Sequence, residues 1–281
     1  MLDRVDRILV AAHDAQTVAS KWCDLVDAVI DRRVDEPHLG SRKTVVRLGD
    51  AELEIHEPTG PGLIAEHLAD SGGPFAAGLA TANLPGLLDH LSRQSIIPVA
   101  LGEGRFYCDA ASLGIPGLRV VLSSLEHHPQ VGLLQNLYEC THLTADATLS
   151  TASIARVFGL DADQFVKIES DTFGYQGSLT LFDNERLHRI ESIHPYDREK
   201  TMGRYFQRFG PSLYMCYAEA ESLAPIRERM KALAPQDWTG SDDNPDGMFI
   251  HPRATGSTMM GISRATYAWS WSGYPDRIVP A

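Results

Sequence analysis

Apolar and polar positions change period several times along this chain, and the order of the changes recurs. Residues 5–12 form an apolar-rich run of strand length. His13-Asp14 then leads into a stretch where Val18, Trp22, Leu25, Val26 and Val29 fall near helical spacing. Two β-like runs follow at 44–48 and 51–56, with Gly49-Asp50 between them as a hairpin signal, and Thr59-Gly-Pro-Gly62 ends the unit. A more degenerate unit starts near Phe75, with a strand at 76–82, a helix at 84–93 and a β-branched closing strand at 117–123. Residues 124–133 read as a linker. A third unit covers about 134–196, with a helix at 149–159 and a Gly-Tyr-Gln-Gly turn at 174–177. The fourth begins at Ser212, with a strand at 213–218 and a helix at 224–234. A loop rich in Asp and Asn at 240–247 precedes strands near 248–251 and 258–263.

The first and third units echo each other. Each opens on a strand that runs into an Asp, Asp14 or Asp146. The closing segments, Leu53-Glu54-Ile55-His56-Glu57-Pro58 and Ile190-Glu191-Ser192-Ile193-His194-Pro195, both place a Glu four residues before a Pro. Such a repeat indicates a module that buries its sheet only against another copy. Strands come in runs between single helices, which excludes a simple alternating α/β fold. The expectation is an α+β fold of four βαβββ modules paired into two domains, 1–125 and 134–281. The ligand cleft is expected in the second.

Charge narrows the partners. The 281 residues carry a net charge of −12, which argues against nucleic acid and, more weakly, against anionic membrane surfaces. Local Arg residues can still hold an anionic small molecule. No apolar run is long enough to span a bilayer, and the N-terminus does not read as a signal peptide. Cys23, Cys108, Cys140 and Cys216 are scattered, as expected for reduced, buried thiols in a cytoplasmic protein. Homo-oligomerisation is left open, because modular sheets pair within or between chains.

The Asp14 and Asp146 openings and the two Glu-containing closings make the chain resemble the vicinal oxygen chelate superfamily, which includes glyoxalase I, methylmalonyl-CoA epimerase and the type I extradiol dioxygenases. The four-module arrangement resembles the dioxygenases over nearly the whole chain. The resemblance implies metal-ligand positions about seven residues before each helix-opening Asp, here Arg7 and Glu139. It implies others on the closing strands, here Glu54 and Glu191. In module four the first-strand position falls near Ser212, and 256–261 offers no carboxylate. The two-His-one-carboxylate set of non-haem iron oxygenases is therefore not at the matching positions.

Two carboxylates close together in a dry cleft split into a proton donor and an acceptor, which suits an isomerase, epimerase or lyase acting on an aromatic or carbonyl-bearing substrate. Glu139 and Glu191 are the expected acid/base pair, His188 or His251 a polarising group, and Tyr214 an orienting donor. The competing reading makes Glu139 and Glu191 a structural salt bridge with Arg189, and Arg7 a structural partner of Glu54. His142 lies out of phase and is expected to pack against the helix, while His194 is expected at a strand end. The run 269–273 (Trp-Ser-Trp-Ser-Gly) reads as a strand edge or lid. Two further functions stand beside the first. One is a ring-cleaving dioxygenase with shifted ligands, in which Glu139, Glu191 and His188 hold Fe, Mn or Zn; otherwise no metal is needed. The other is a non-catalytic protein that binds a small aromatic compound.

Overall fold

The computed structural model describes residues 1–241 and 243–280. Module one runs β1 (Arg4–Ala11), α1 (Ala15–Val26), β2 (Val29–Glu36), β3 (Ser41–Leu48) and β4 (Ala51–Pro58), and α2 (Leu63–Asp70) leads out of it. Module two runs β5 (Gly73–Thr81), α3 (Leu84–Arg93), β6 (Val99–Ala100), β7 (Phe106–Cys108), a short α4 (Ala110–Leu113) and β8 (Val120–Ser124). Module three has β9 (Asn136–Leu143), α5 (Ala147–Phe158), β10 (Val166–Ser170), β11 (Tyr175–Leu181) and β12 (Arg189–Pro195), and α6 (Thr201–Phe209) follows it. Module four has β13 (Ser212–Ala220), α7 (Ala224–Leu233), β14 (Trp238–Ser241), β15 (Asn244–Ile250), α8 (Pro252–Thr255) and β16 (Met259–Arg264).

The Asp residues that punctuate the sequence start helices. Asp14 accepts a hydrogen bond from the Thr17 N–H at 2.9 Å and Asp146 one from the Leu149 N–H at 2.9 Å, satisfying amide groups that a helix N-terminus otherwise leaves open. In every module the first strand pairs parallel with the last, and the other pairings are antiparallel. The modules join through β1–β5 and β9–β13. This gives two eight-stranded sheets, β2-β3-β4-β1-β5-β8-β7-β6 and β10-β11-β12-β9-β13-β16-β15-β14.

Strand alternation decides what each face does. Ile8, Val10, Leu137, Cys140, Leu213 and Cys216 share one continuous core with the helices and so join the two sheets. Leu9 and Ala11 point to the opposite face of the first sheet, into a separate cluster with Phe75 and Tyr107. The rest of that face is filled by ions. Arg105 holds Glu52 at 2.8 Å and also Glu54, and Lys43 reaches Glu103 at 2.8 Å. Arg7 does not pair with Glu54, as the sequence had suggested. The β1–β4 register sets it opposite Glu52, and its closest ionic partner is Asp6 at 2.5 Å.

Several elements depart from the sequence reading. Helix α1 stops at Val26 because Asp27 adopts a left-handed cap, so Val29 begins β2. That edge strand leaves Asp31, Arg33 and Asp35 exposed while Glu36 is buried, which masked its period. Residues 240–241 and 244–247 belong to the paired strands β14 and β15, not to a loop; Asp242 lies outside the described residues. Residues 269–273 belong to a 3-10 turn, not a strand, and Trp269 is buried against Tyr274. The linker is pinned: Gly49 and Val131 exchange backbone hydrogen bonds of 2.8 and 3.0 Å. A β-carbon at Gly49 would lie 2.3 Å from the Gln135 carbonyl oxygen, so only glycine fits that turn. Among the described residues, no helix is long and apolar enough to cross a membrane.

Candidate active site

The face of the second sheet that turns away from the shared core encloses a cavity of about 760 Å³. Its walls come from β11, β12, β13, β15 and β16. Helix α6 contributes Met202 and Tyr205, and residues 71–74, from the end of α2 into the start of β5, reach in from the first half of the chain. The lining is mainly apolar and aromatic. Phe173 stacks with Tyr175, with ring centroids 6.5 Å apart, and meets Phe249 edge-on at 6.0 Å; Phe249 in turn meets Tyr217 at 5.9 Å. Among the lining residues Glu191 is the one carboxyl, while Lys200 and Arg204 are the cations.

Register explains why Glu191 sits as it does. Strands β9 and β12 run parallel with Glu139 beside Arg189 and Thr141 beside Glu191, and alternation turns all four to one face. Both carboxyls are buried, at 1% exposure for Glu139 and 6% for Glu191. Arg189, fully buried, donates from Nε to Glu139 Oε2 at 2.6 Å and lies 4.9 Å over the Tyr138 ring. The Thr141 hydroxyl donates to Glu191 Oε2 at 2.7 Å. Burial first, and then the charge of Glu139, push the Glu191 carboxyl well above its ordinary range despite Thr141 and Arg189. The two acids thus form an unequal pair. Glu139 is tied to a guanidinium, and Glu191 keeps its proton at the cavity wall.

Of the competing salt-bridge reading, the Glu139–Arg189 pair is present, while Glu191 lines the cavity and is hydrogen-bonded to Thr141. Tyr214 lines the same cavity, edge-on to Tyr205 at 5.0 Å, and burial raises its phenol to about 12. His251 also lines it, at the start of α8, with Nε2 2.8 Å from the Thr239 hydroxyl. His188 is not brought to the cavity. It precedes β12, its Nδ1 is shielded and without a hydrogen-bond partner, and burial followed by the nearby charges of Arg4 and Arg186 lowers it to about 3. His142 points to the opposite sheet face, donates from Nε2 to the Pro116 carbonyl at 2.8 Å, and is lowered to about 4 by burial. His194 borders a separate outer groove, its Nδ1 donating to the Thr144 carbonyl at 3.1 Å.

Sequence reasoning missed Thr141, Phe173, Tyr217 and Phe249. The parity of Tyr217 on β13, two residues beyond Tyr214 once a bulge between Leu213 and Met215 is counted, was hidden by that bulge. The donor set does not fit a divalent metal. Glu139 is already held by a guanidinium, His188 lies elsewhere, and Gly261 stands on the closing strand of module four beside Tyr217. Among the described residues no three of His, Cys, Asp and Glu converge as a metal site would require.

No protein-family model matches the chain, and no curated protein matches it. Solved structures do. A triple mutant of 4-hydroxymandelate synthase from Streptomyces coelicolor aligns with 99% of this chain and 99% of its own at 11% identity, with a TM-score of 0.64. Methylmalonyl-CoA epimerase from Mycobacterium tuberculosis aligns with 49% of this chain and 93% of its own at 15% identity, with a TM-score of 0.41. The full-length match shows the architecture: this chain has the four-module vicinal oxygen chelate fold.

Proposed function

We propose that this chain is an enzyme that moves a proton on a small aromatic or carbonyl-bearing substrate, of isomerase, epimerase or lyase type. The observation that carries this reading is Glu191, a buried carboxyl kept in its acid form at the wall of an aromatic cavity, with Glu139 and Arg189 behind it. Aromatic side chains hold a flat, apolar substrate by face and edge contacts. A carbonyl oxygen facing Glu191 is then polarised by a neutral acid. His251 takes a proton from the carbon next to the carbonyl, and the C–H electron pair becomes the C=C bond of an enol. The carbonyl oxygen takes the proton of Glu191, and reversal of both transfers restores the ketone with the carbon-bound proton exchanged. Each proton removed is replaced, and no oxidant is consumed. A ring-cleaving dioxygenase finds no support in the donor set.

Hydrogen–deuterium exchange tests the proposal. Aryl ketones such as phenylacetone, incubated with the protein in D2O, should exchange their α-hydrogens faster than in buffer, as followed by NMR. The Glu191→Gln variant should lower that rate by about 10²-fold, the scale of a lost general acid. Exchange that is unchanged in the variant would remove Glu191 from the mechanism. Tight binding of aryl ketones and phenols without exchange in the wild type would identify a binding protein instead.

A further inference from the structure

The two modules of the second half are related by an approximate two-fold axis, and comparing positions across it exposes an exchange of side chains. Cys140 and Cys216 face each other on antiparallel β9 and β13, which sets Thr141 equivalent to Tyr217 and Glu139 to Met215. The parallel closing strands extend the match. Thr141 pairs with Glu191 and Tyr217 with Gly261, while Glu139 pairs with Arg189 and Met215 with Met259. Module three thus lines its half of the face with two acids, an arginine and a threonine. Module four lines its half with two methionines, a tyrosine and a glycine.

The glycine is explained by the tyrosine. A β-carbon on Gly261 would lie 2.2 Å from Tyr217 Cε1 and 2.3 Å from Cδ1, so the phenol ring lies directly over the position where module three carries Glu191. Tyr217 lines the cavity together with Glu191, and Phe249 and Tyr138 hold its ring at centroid distances of 5.9 Å each.

We infer that Tyr217 is the second oxygen-binding donor of the site: its hydroxyl and the Glu191 carboxyl together hold the carbonyl, enolate or phenolate oxygen of an aromatic substrate. The inference rests on the proton-transfer reading for the role of Glu191, but it concerns a different residue and a different measurement. Burial and the neighbouring carboxyls Glu139 and Glu191 raise the Tyr217 phenol well above its ordinary value, so it stays an O–H donor across the working pH range. A neutral phenol and a neutral carboxylic acid aimed at one oxygen stabilise negative charge there without a metal. The apolar half, with Met215 and Met259, then receives the ring of the substrate.

Two ligands of one shape separate charge recognition from packing: 4-nitrophenol, at a pH where it is ionised, and 4-nitrotoluene. The wild type should prefer the phenolate. Tyr217→Phe should weaken the phenolate by about tenfold to 10²-fold, the scale of one hydrogen bond to a charged group, and change 4-nitrotoluene by less than about twofold, since only a hydroxyl is removed. Gly261→Ala, which pushes the ring aside while keeping the hydroxyl, should reproduce the selective loss; circular dichroism checks that it folds. Equal affinity of the wild type for both ligands, or a Tyr217→Phe effect that is equal on both or absent, would overturn the inference and leave Tyr217 as wall packing. The proposed reaction fails separately. If Glu191→Gln leaves proton exchange intact while Tyr217→Phe selectively loses the phenolate, the oxygen site stands and the acid assignment falls.

Discussion

Replacing Arg189 by Met tests whether the charge arrangement behind the cavity is what holds the Glu139 carboxyl there. Arg189 is fully buried, Glu139 is 1% exposed, and among the described residues their 2.6 Å hydrogen bond is the only salt bridge of either residue. Met approximates the length of the arginine stem and preserves packing over Tyr138, so the main loss is charge compensation. Stranding one member of a buried pair costs about 3–5 kcal/mol. In a chain of this size that corresponds to a fall in Tm of roughly 10 °C. Adding Glu139→Gln removes the stranded charge, so the double variant should recover at least about 2 kcal/mol of the loss, because uncharged replacements of a buried pair are commonly near neutral. Chemical and thermal unfolding at neutral pH measure all four corners of the cycle. An Arg189→Met protein within about 1 kcal/mol of the wild type, or a double variant no more stable than the single, would refute the argument.

Two pH predictions have opposite signs. The carboxyl of Glu191 is raised in the folded state, so the folded protein holds a proton that the unfolded chain releases above about 4.5. Relative to Glu191→Gln, the wild type should lose stability as pH rises from that value, by about 1.4 kcal/mol per pH unit until the raised value is passed; a wild type that gains on the Gln variant over this range would contradict the assignment. His142 is lowered from 6.5 to about 4, so its neutral form stabilises the fold above 6.5 and that contribution is lost as pH falls. The loss amounts to roughly 3 kcal/mol between the two values. His142→Gln should flatten the acid limb of a Tm–pH curve, and an unchanged limb would place the acid sensitivity elsewhere.

Much of the fold was legible because its signals are local. Asp14 and Asp146 mark helix starts through hydrogen bonds to amides three residues on, and a strand followed by Asp opens modules one and three. The recurrence of Glu54 and Glu191 before a proline located the closing strands of modules one and three. Elements whose character depends on their surroundings were missed. Asp31, Arg33 and Asp35 of β2 are exposed because it is an edge strand, and Thr201–Phe209 becomes a cavity wall only because the second sheet lies beneath it. His188 and Glu191 are only three residues apart in sequence, yet only Glu191 reaches the cavity.

What the sequence determined by itself was the order and repetition of elements, since caps, turns and alternation act within a few residues. It also determined that the third module carries two acids and an arginine at alternating positions. Tertiary structure decided how those charges were shared. The parallel register of β9 and β12 set Glu139 against Arg189 and Thr141 against Glu191, and burial then left the proton on Glu191. It also laid the ring of Tyr217 over Gly261, two residues 44 positions apart. Neither result can be read from local pattern, because register and burial are properties of strands brought together across the chain.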